Sequence, residues 1–166
     1  MGFVSGAVDS IILLFSAVLL LAVPLIDAQS CFPAWFFHPA LLDLRRWYID
    51  EFGDYLLKEK PHFLIGLTWI EIVFIWPLSI ANVYGILARR PWVATTSLMV
   101  GVSIATSMAA VMAELLGSDK SPDKLLQMYC PFVAFSVLAI LKGLFPGPLP
   151  KVTKASHAPS ARKKRA

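Results

Sequence analysis

Apolar and polar positions alternate along this chain in long blocks. Four blocks are apolar enough to be read as helices: Ile11 to Ile26, His62 to Leu87, Trp92 to Leu116 and Leu125 to Leu144. Each is near the ~20 residues that a helix needs to cross the hydrocarbon core of a bilayer. Between the first two lies a mixed segment. CFPAWFFHPALL is aromatic and punctuated by Pro33 and Pro39, which predicts irregular chain at or in the interface. DLRRWYIDEFGDYLLKEKP mixes charge with Trp47, Tyr48, Phe52 and Tyr55, and predicts a short amphipathic surface helix broken near Gly53. The other breaks are the basic turn Arg89-Arg90-Pro91 and the polar turn GSDKSPDK. The fold class is therefore all-α, an integral membrane four-helix bundle with a partly membrane-embedded first loop.

Composition agrees. Hydrophobic residues make up 57% of the chain and charged residues 16%, which a soluble domain of this size would not carry. The N-terminal block is also compatible with a signal peptide, but residues 1–9 contain no Lys or Arg and the apolar core is long for one. We read it as an uncleaved span with a kink at Pro24. Pro131 is a kink candidate in span four, and Lys142 is placed to snorkel. The chain divides into a four-span domain, residues 10–145, and a Pro/Ser/Lys-rich tail, residues 146–166, expected to be disordered.

Charge sets the expected orientation. Loop one is balanced, with Arg45, Arg46, Lys58 and Lys60 against Asp43, Asp50, Glu51, Asp54 and Glu59. Arg89 and Arg90 and the tail are basic, so both termini are expected in the cytosol and loop one in the lumen. The basic tail flanks a span, which argues against nucleic acid as the partner. Lys163, Lys164, Arg165 and Ala166 match a C-terminal KKxx pattern, similar to retrieval signals of endoplasmic reticulum membrane proteins. Cys31 and Cys130 have no metal-ligand spacing and are read as free thiols. His38, His62 and His157 are scattered, so no metal site is expected.

The candidate chemistry lies in two acids. Glu71 follows His62 by nine positions, which at ~1.5 Å per residue puts it ~14 Å into the membrane. A carboxyl at that depth needs a partner, a ligand or a proton. Asp27 ends span one on the same side. A kink at Pro24 and a sunken loop one would bring the two together, with one holding a proton and hydrogen-bonding the other. Such a site suits an amine or a hydroxyl. The plainer alternative makes Asp27 a water-exposed helix end and Glu71 a neutral group bonded to a neighbouring helix. Asp54 reads by default as a cap or a solvated residue. Trp35, Phe36, Phe37, Trp69, Phe74, Trp76, Tyr129 and Phe132 are candidates to line an apolar pocket, although any one of them is as easily lipid-facing.

Five features in order carry a resemblance: Asp27-Ala28-Gln29 after span one, RRWYIDEFGDYLLKEKP, E-I-V-F-x-x-P from Glu71 to Pro77, Y-x-P-F from Tyr129 to Phe132, and the terminal KKxx. Together they resemble the EXPERA family, to which the emopamil-binding sterol isomerase belongs. The resemblance implies a homodimeric endoplasmic reticulum protein, or one shared with other endomembranes, whose pocket opens laterally to lipid. It further implies sterol and lipophilic cationic amine ligands, no cofactor, and a part in sterol homeostasis or trafficking. Asp27 would meet the amine, Glu71 would be the protonated partner holding Asp27, and Asp54, Tyr129 and Phe132 would complete the ligand site. Phe132 stands where the family pattern has a tyrosine, and Ile75 where it has a glutamine. A non-enzymatic receptor, a sterol double-bond isomerase and a partner of a sterol transporter all remain open at this point. The isomerase reading is weakened by the lack of a histidine inside any span.

Overall fold

The computed structural model describes residues 2–146, with side chains from Gly6 onward. The tail with its KKxx pattern, and His157, lie outside the described residues. The described chain is all-helical: α1 Gly2–Leu25, α2 Pro39–Phe52, α3 Tyr55–Glu59, α4 His62–Ile70, α5 Trp76–Leu87, α6 Val93–Gly117 and α7 Asp123–Leu144. Four stretches are long and apolar enough to span a membrane: Gly6–Ser30, His62–Leu87, Val93–Gly117 and Asp123–Leu144. Their outer faces carry exposed Leu14, Leu21, Val73, Leu87 and Leu116. That surface is tolerable in lipid and costly in water. This is an integral membrane bundle.

Span two is continuous but not uniform. Between α4 and α5 the segment Glu71–Ile75 widens into a π-helical turn, and the Trp76 amide donates to the Glu71 carbonyl. Pro77 explains the widening. Its nitrogen has no hydrogen to give, and its ring crowds the carbonyl four residues back. A π-bulge accommodates both problems without breaking the span.

Packing on α7 depends on small residues. A Cβ at Gly101 would come within 2.9 Å of Ala139 Cβ and of backbone atoms of α7, and one at Gly143 would overlap Leu98. The helices therefore approach at backbone distance, the close packing that small residues permit in membranes.

Loop one departs from the sequence reading in detail. The first part, expected to be irregular to about residue 42, is two 3-10 turns, Asp27–Ser30 and Ala34–Phe36, and α2 starts already at Pro39. His38 caps that helix, its Nδ1 accepting from the Ala40 amide at 3.3 Å. The surface helix ends as expected at Gly53, in the left-handed region at φ 66. Lys142 forms an ion pair with Asp9 of α1, because the first and fourth spans pack together and bring the two charges face to face.

Candidate functional site

The bundle encloses a cavity of about 280 Å³ under loop one, with walls from all four spans. Most of its lining is apolar, including Leu19, Leu64, Ile75, Ile104, Val111 and Phe132. The polar groups on its wall are Asp27, Glu71, Tyr48, Thr68, Ser107 and Tyr129. An apolar cavity with a few convergent polar groups is the usual form of a small-molecule site.

Asp27 reaches the cavity because α1 stops at Leu25 and the chain turns into the 3-10 segment Asp27–Ser30. That turn is clamped from above by Arg45, which is only 7% exposed. Its guanidinium donates to the Gln29 carbonyl at 3.0 Å, to Ser30 Oγ at 2.9 Å and to the Leu57 carbonyl at 3.1 Å. Lys60 adds a bond to the Gln29 carbonyl at 3.3 Å, and the Gln29 amide nitrogen bonds the Leu25 and Leu41 carbonyls at 2.6 and 3.1 Å. Loop one is thereby folded down onto the end of α1. Burial works against the Arg45 charge, while the Asp27 and Asp54 carboxylates nearby favour it.

Glu71 opens the π turn of span two and stands on the same wall face as Leu64, Leu67, Thr68 and Ile75. The two acids thus share one cavity, as the order of the spans predicted.

Asp54 is placed differently from the other predicted site residues. It is fully buried and does not line the cavity. Its Oδ1 accepts from the Leu57 amide at 2.9 Å, capping α3, and its Oδ2 accepts from the Tyr129 hydroxyl at 3.1 Å. It is a cap, as its local sequence suggests, and also the anchor of a cavity residue. Burial raises its carboxyl above the ordinary value, against the hydrogen bonds from Leu57 and Tyr129 and the Arg45 charge. The Tyr48 hydroxyl is likewise raised, by burial first and then by Asp54 and Asp27.

Of the eight aromatic candidates only Tyr129 and Phe132 line the cavity. Trp35, Phe36, Trp69 and Phe74 face outward. Phe32 packs against both Phe36 and Trp69, joining loop one to the outside of span two at ring separations of 5.6 and 5.5 Å. The Trp76 indole donates to the Leu20 carbonyl at 3.1 Å and ties span two to span one. Arg45 and Tyr48 were not singled out from sequence. In RRWYIDE the buried Arg45 and the exposed Arg46 carry no local mark that separates them.

Comparison with known proteins adds a family match. The family model EBP, described as EXPERA (EXPanded EBP superfamily), matches residues 40–143. That range includes Asp54, Glu71, Tyr129 and Phe132 and leaves Asp27 outside. The chain is similar to Sigma intracellular receptor 2 of Xenopus tropicalis, 23% identical over 134 residues, covering 73% of this chain and 78% of the frog protein. It is 27% identical over 96 residues to Sigma intracellular receptor 2 of Homo sapiens, covering 57% of this chain and 54% of the human protein, and the Macaca fascicularis protein matches to the same extent.

Proposed function

This chain belongs to the EXPERA superfamily, and from that premise we propose that it is a non-enzymatic membrane receptor for sterols and lipophilic cationic amines. The observation that carries the proposal is the pair of carboxyl side chains, Asp27 and Glu71, on one otherwise apolar cavity wall. A cationic amine inside the bundle gives up its hydration and takes a carboxylate in exchange, while its apolar body replaces lipid contacts. Asp27, held at the loop-clamped end, meets the amine. Glu71 carries the proton and holds Asp27 in position. Tyr129 and Phe132 supply wall, and Asp54 acts through Tyr129. The similarity to proteins named as receptors supports the same reading.

The protein acts in sterol homeostasis or trafficking, as a homodimer in the endoplasmic reticulum membrane with cytosolic termini, and engages a sterol transporter as partner. Binding of a labelled lipophilic amine to purified protein tests the core of the proposal. Asp27→Asn and Glu71→Gln each weaken it, and unchanged binding in both variants sinks it.

The isomerase reading rests on the family itself, and the two carboxyls would be its donor and acceptor. His38 and His62 do not line the cavity. Sterol product analysis with purified protein separates the readings, since turnover would replace the receptor assignment.

A further inference from the structure

Beyond the cavity floor, at the end of the bundle away from loop one, three fully buried polar atoms have no protein partner among the described residues. They are Ser16 Oγ, Asn82 Nδ2 and Ser97 Oγ, each on a residue that is 0% exposed, and each from a different span. In a bilayer no solvent rescues such groups, so three together call for an occupant.

Register brings them to one level. The bond from the Trp76 indole to the Leu20 carbonyl sets α1 against α5. One turn further along both helices, that register puts Ser16 at the level of Ser79 and Asn82. On the other side of α5, Thr96 Oγ1 lies 2.6 Å from Asn82 Oδ1. Gly85 approaches Val93 so closely that a Cβ there would sit 2.5 Å from it. Ser97, one turn along α6 from Val93, therefore faces the turn of α5 that carries Asn82.

The neighbouring hydroxyls are already used. Ser79 donates to the Ile75 carbonyl at 2.8 Å, and Thr96 is bonded to Asn82 and close to the Val93 carbonyl. What remains is one amide end and two hydroxyls, all neutral. Reversing the Asn82 amide changes which atom faces Thr96 but still leaves the other without a protein partner. A divalent cation would want carboxylates or several carbonyls, and neither is in this layer. A water molecule needs two to four polar partners, and the layer offers three.

We propose that Ser16, Asn82 and Ser97 form an internal hydration site that bridges α1, α5 and α6. It is separate from the ligand cavity, which none of the three residues lines. The bound water holds three spans together beneath the ligand cavity.

Asn82 is the only asparagine in the chain, so asparagine-selective labelling reports on its side-chain amide alone, apart from those of Gln29 and Gln127. Water-edited solid-state NMR of the full chain in lipid bilayers is the test. Magnetisation passes from water to the Asn82 side chain in the wild type and is lost in the Ser16→Ala/Ser97→Ala double variant. Should the double variant not fold, Ser16→Ala alone, which removes a single oxygen, is read for the same loss. An Asn82 side chain that receives nothing from water in the wild type overturns the proposal. Transfer that persists undiminished in the serine variants overturns it equally, because the water would then not bridge these groups.

Discussion

The Tyr129 hydroxyl donates to Asp54 Oδ2 at 3.1 Å, so a residue on the cavity wall is held by an acid that the cavity never reaches. Since Asp54 also caps α3, its loss disturbs fold and site together, whereas loss of the Tyr129 hydroxyl disturbs the site more than the fold. Asp54→Ala is expected to cost about 1–3 kcal/mol, from the lost cap and the unpartnered groups left behind. Tyr129→Phe leaves the cap intact but strands Asp54 Oδ2, and is expected to cost about 1 kcal/mol and to weaken amine binding by up to about tenfold. Thermal unfolding in detergent, run beside ligand binding, checks both.

The raised carboxyl of Asp54 has a consequence for pH dependence. In the folded protein Asp54 keeps its proton to a higher pH than in the unfolded chain. Between the two values the folded state binds more protons, so this residue's contribution to stability falls as pH rises through that window and is constant above it. Asp54→Asn keeps a capping oxygen and removes the titration. Relative to wild type, the variant should be least favourable below the ordinary carboxylate range and improve as pH rises. Melting curves of the two proteins across the acid range test the sign, and a difference that does not vary with pH would contradict it.

Arg45 and Arg46 are adjacent but should behave oppositely. Arg45 is buried and ties the Asp27 turn to α3 through three acceptors, so Arg45→Ala leaves buried acceptors without a donor and the Asp27 and Asp54 carboxyls without a nearby cation. A loss of about 3 kcal/mol or more is expected, together with weakened amine binding, because Asp27 loses its position. Arg45→Lys should recover little, since one ammonium cannot span three acceptors as the guanidinium does. Arg46 makes only an exposed pair with Asp43, and Arg46→Ala should change stability by less than about 1 kcal/mol.

The Asp9–Lys142 pair joins the first and fourth spans. Lys142→Met alone strands Asp9, and Asp9→Asn alone strands Lys142, so each single change is expected to be destabilising. The double variant should be more stable than either single one. A double-mutant cycle of thermal stabilities measures this, and simple additivity would show that the two charges do not interact.

Much of this architecture was legible in the chain because a membrane imposes a coarse rule. Long apolar runs must be helices, since no other open structure satisfies the backbone in lipid. The boundaries of spans two to four, the break at Gly53 and the special status of Glu71 all follow from that rule and from local turn chemistry, whereas α1 starts at Gly2, well before the apolar run at Ile11. The π turn at Glu71–Ile75 was partly visible in Pro77, whose missing N–H must be accommodated somewhere within the preceding turn. The outward orientation of Trp35, Phe36, Trp69 and Phe74 was not visible, because an aromatic residue has the same local pattern on a cavity wall as against lipid.

By itself the sequence determined the all-helical class, the four spans and the presence of acids too deep to be idle, since burial in lipid makes composition nearly decisive. Tertiary structure alone decided which charges are buried together. Arg45 over the Asp27 turn, Asp54 behind Tyr129 and Lys142 against Asp9 join residues 12 or more positions apart. Electrostatic energy depends on separation and desolvation, which no local pattern of residues records. Asp27 and Glu71 stand between the two cases: the order of the spans brought them to one end of the bundle, and the fold set them on one cavity wall.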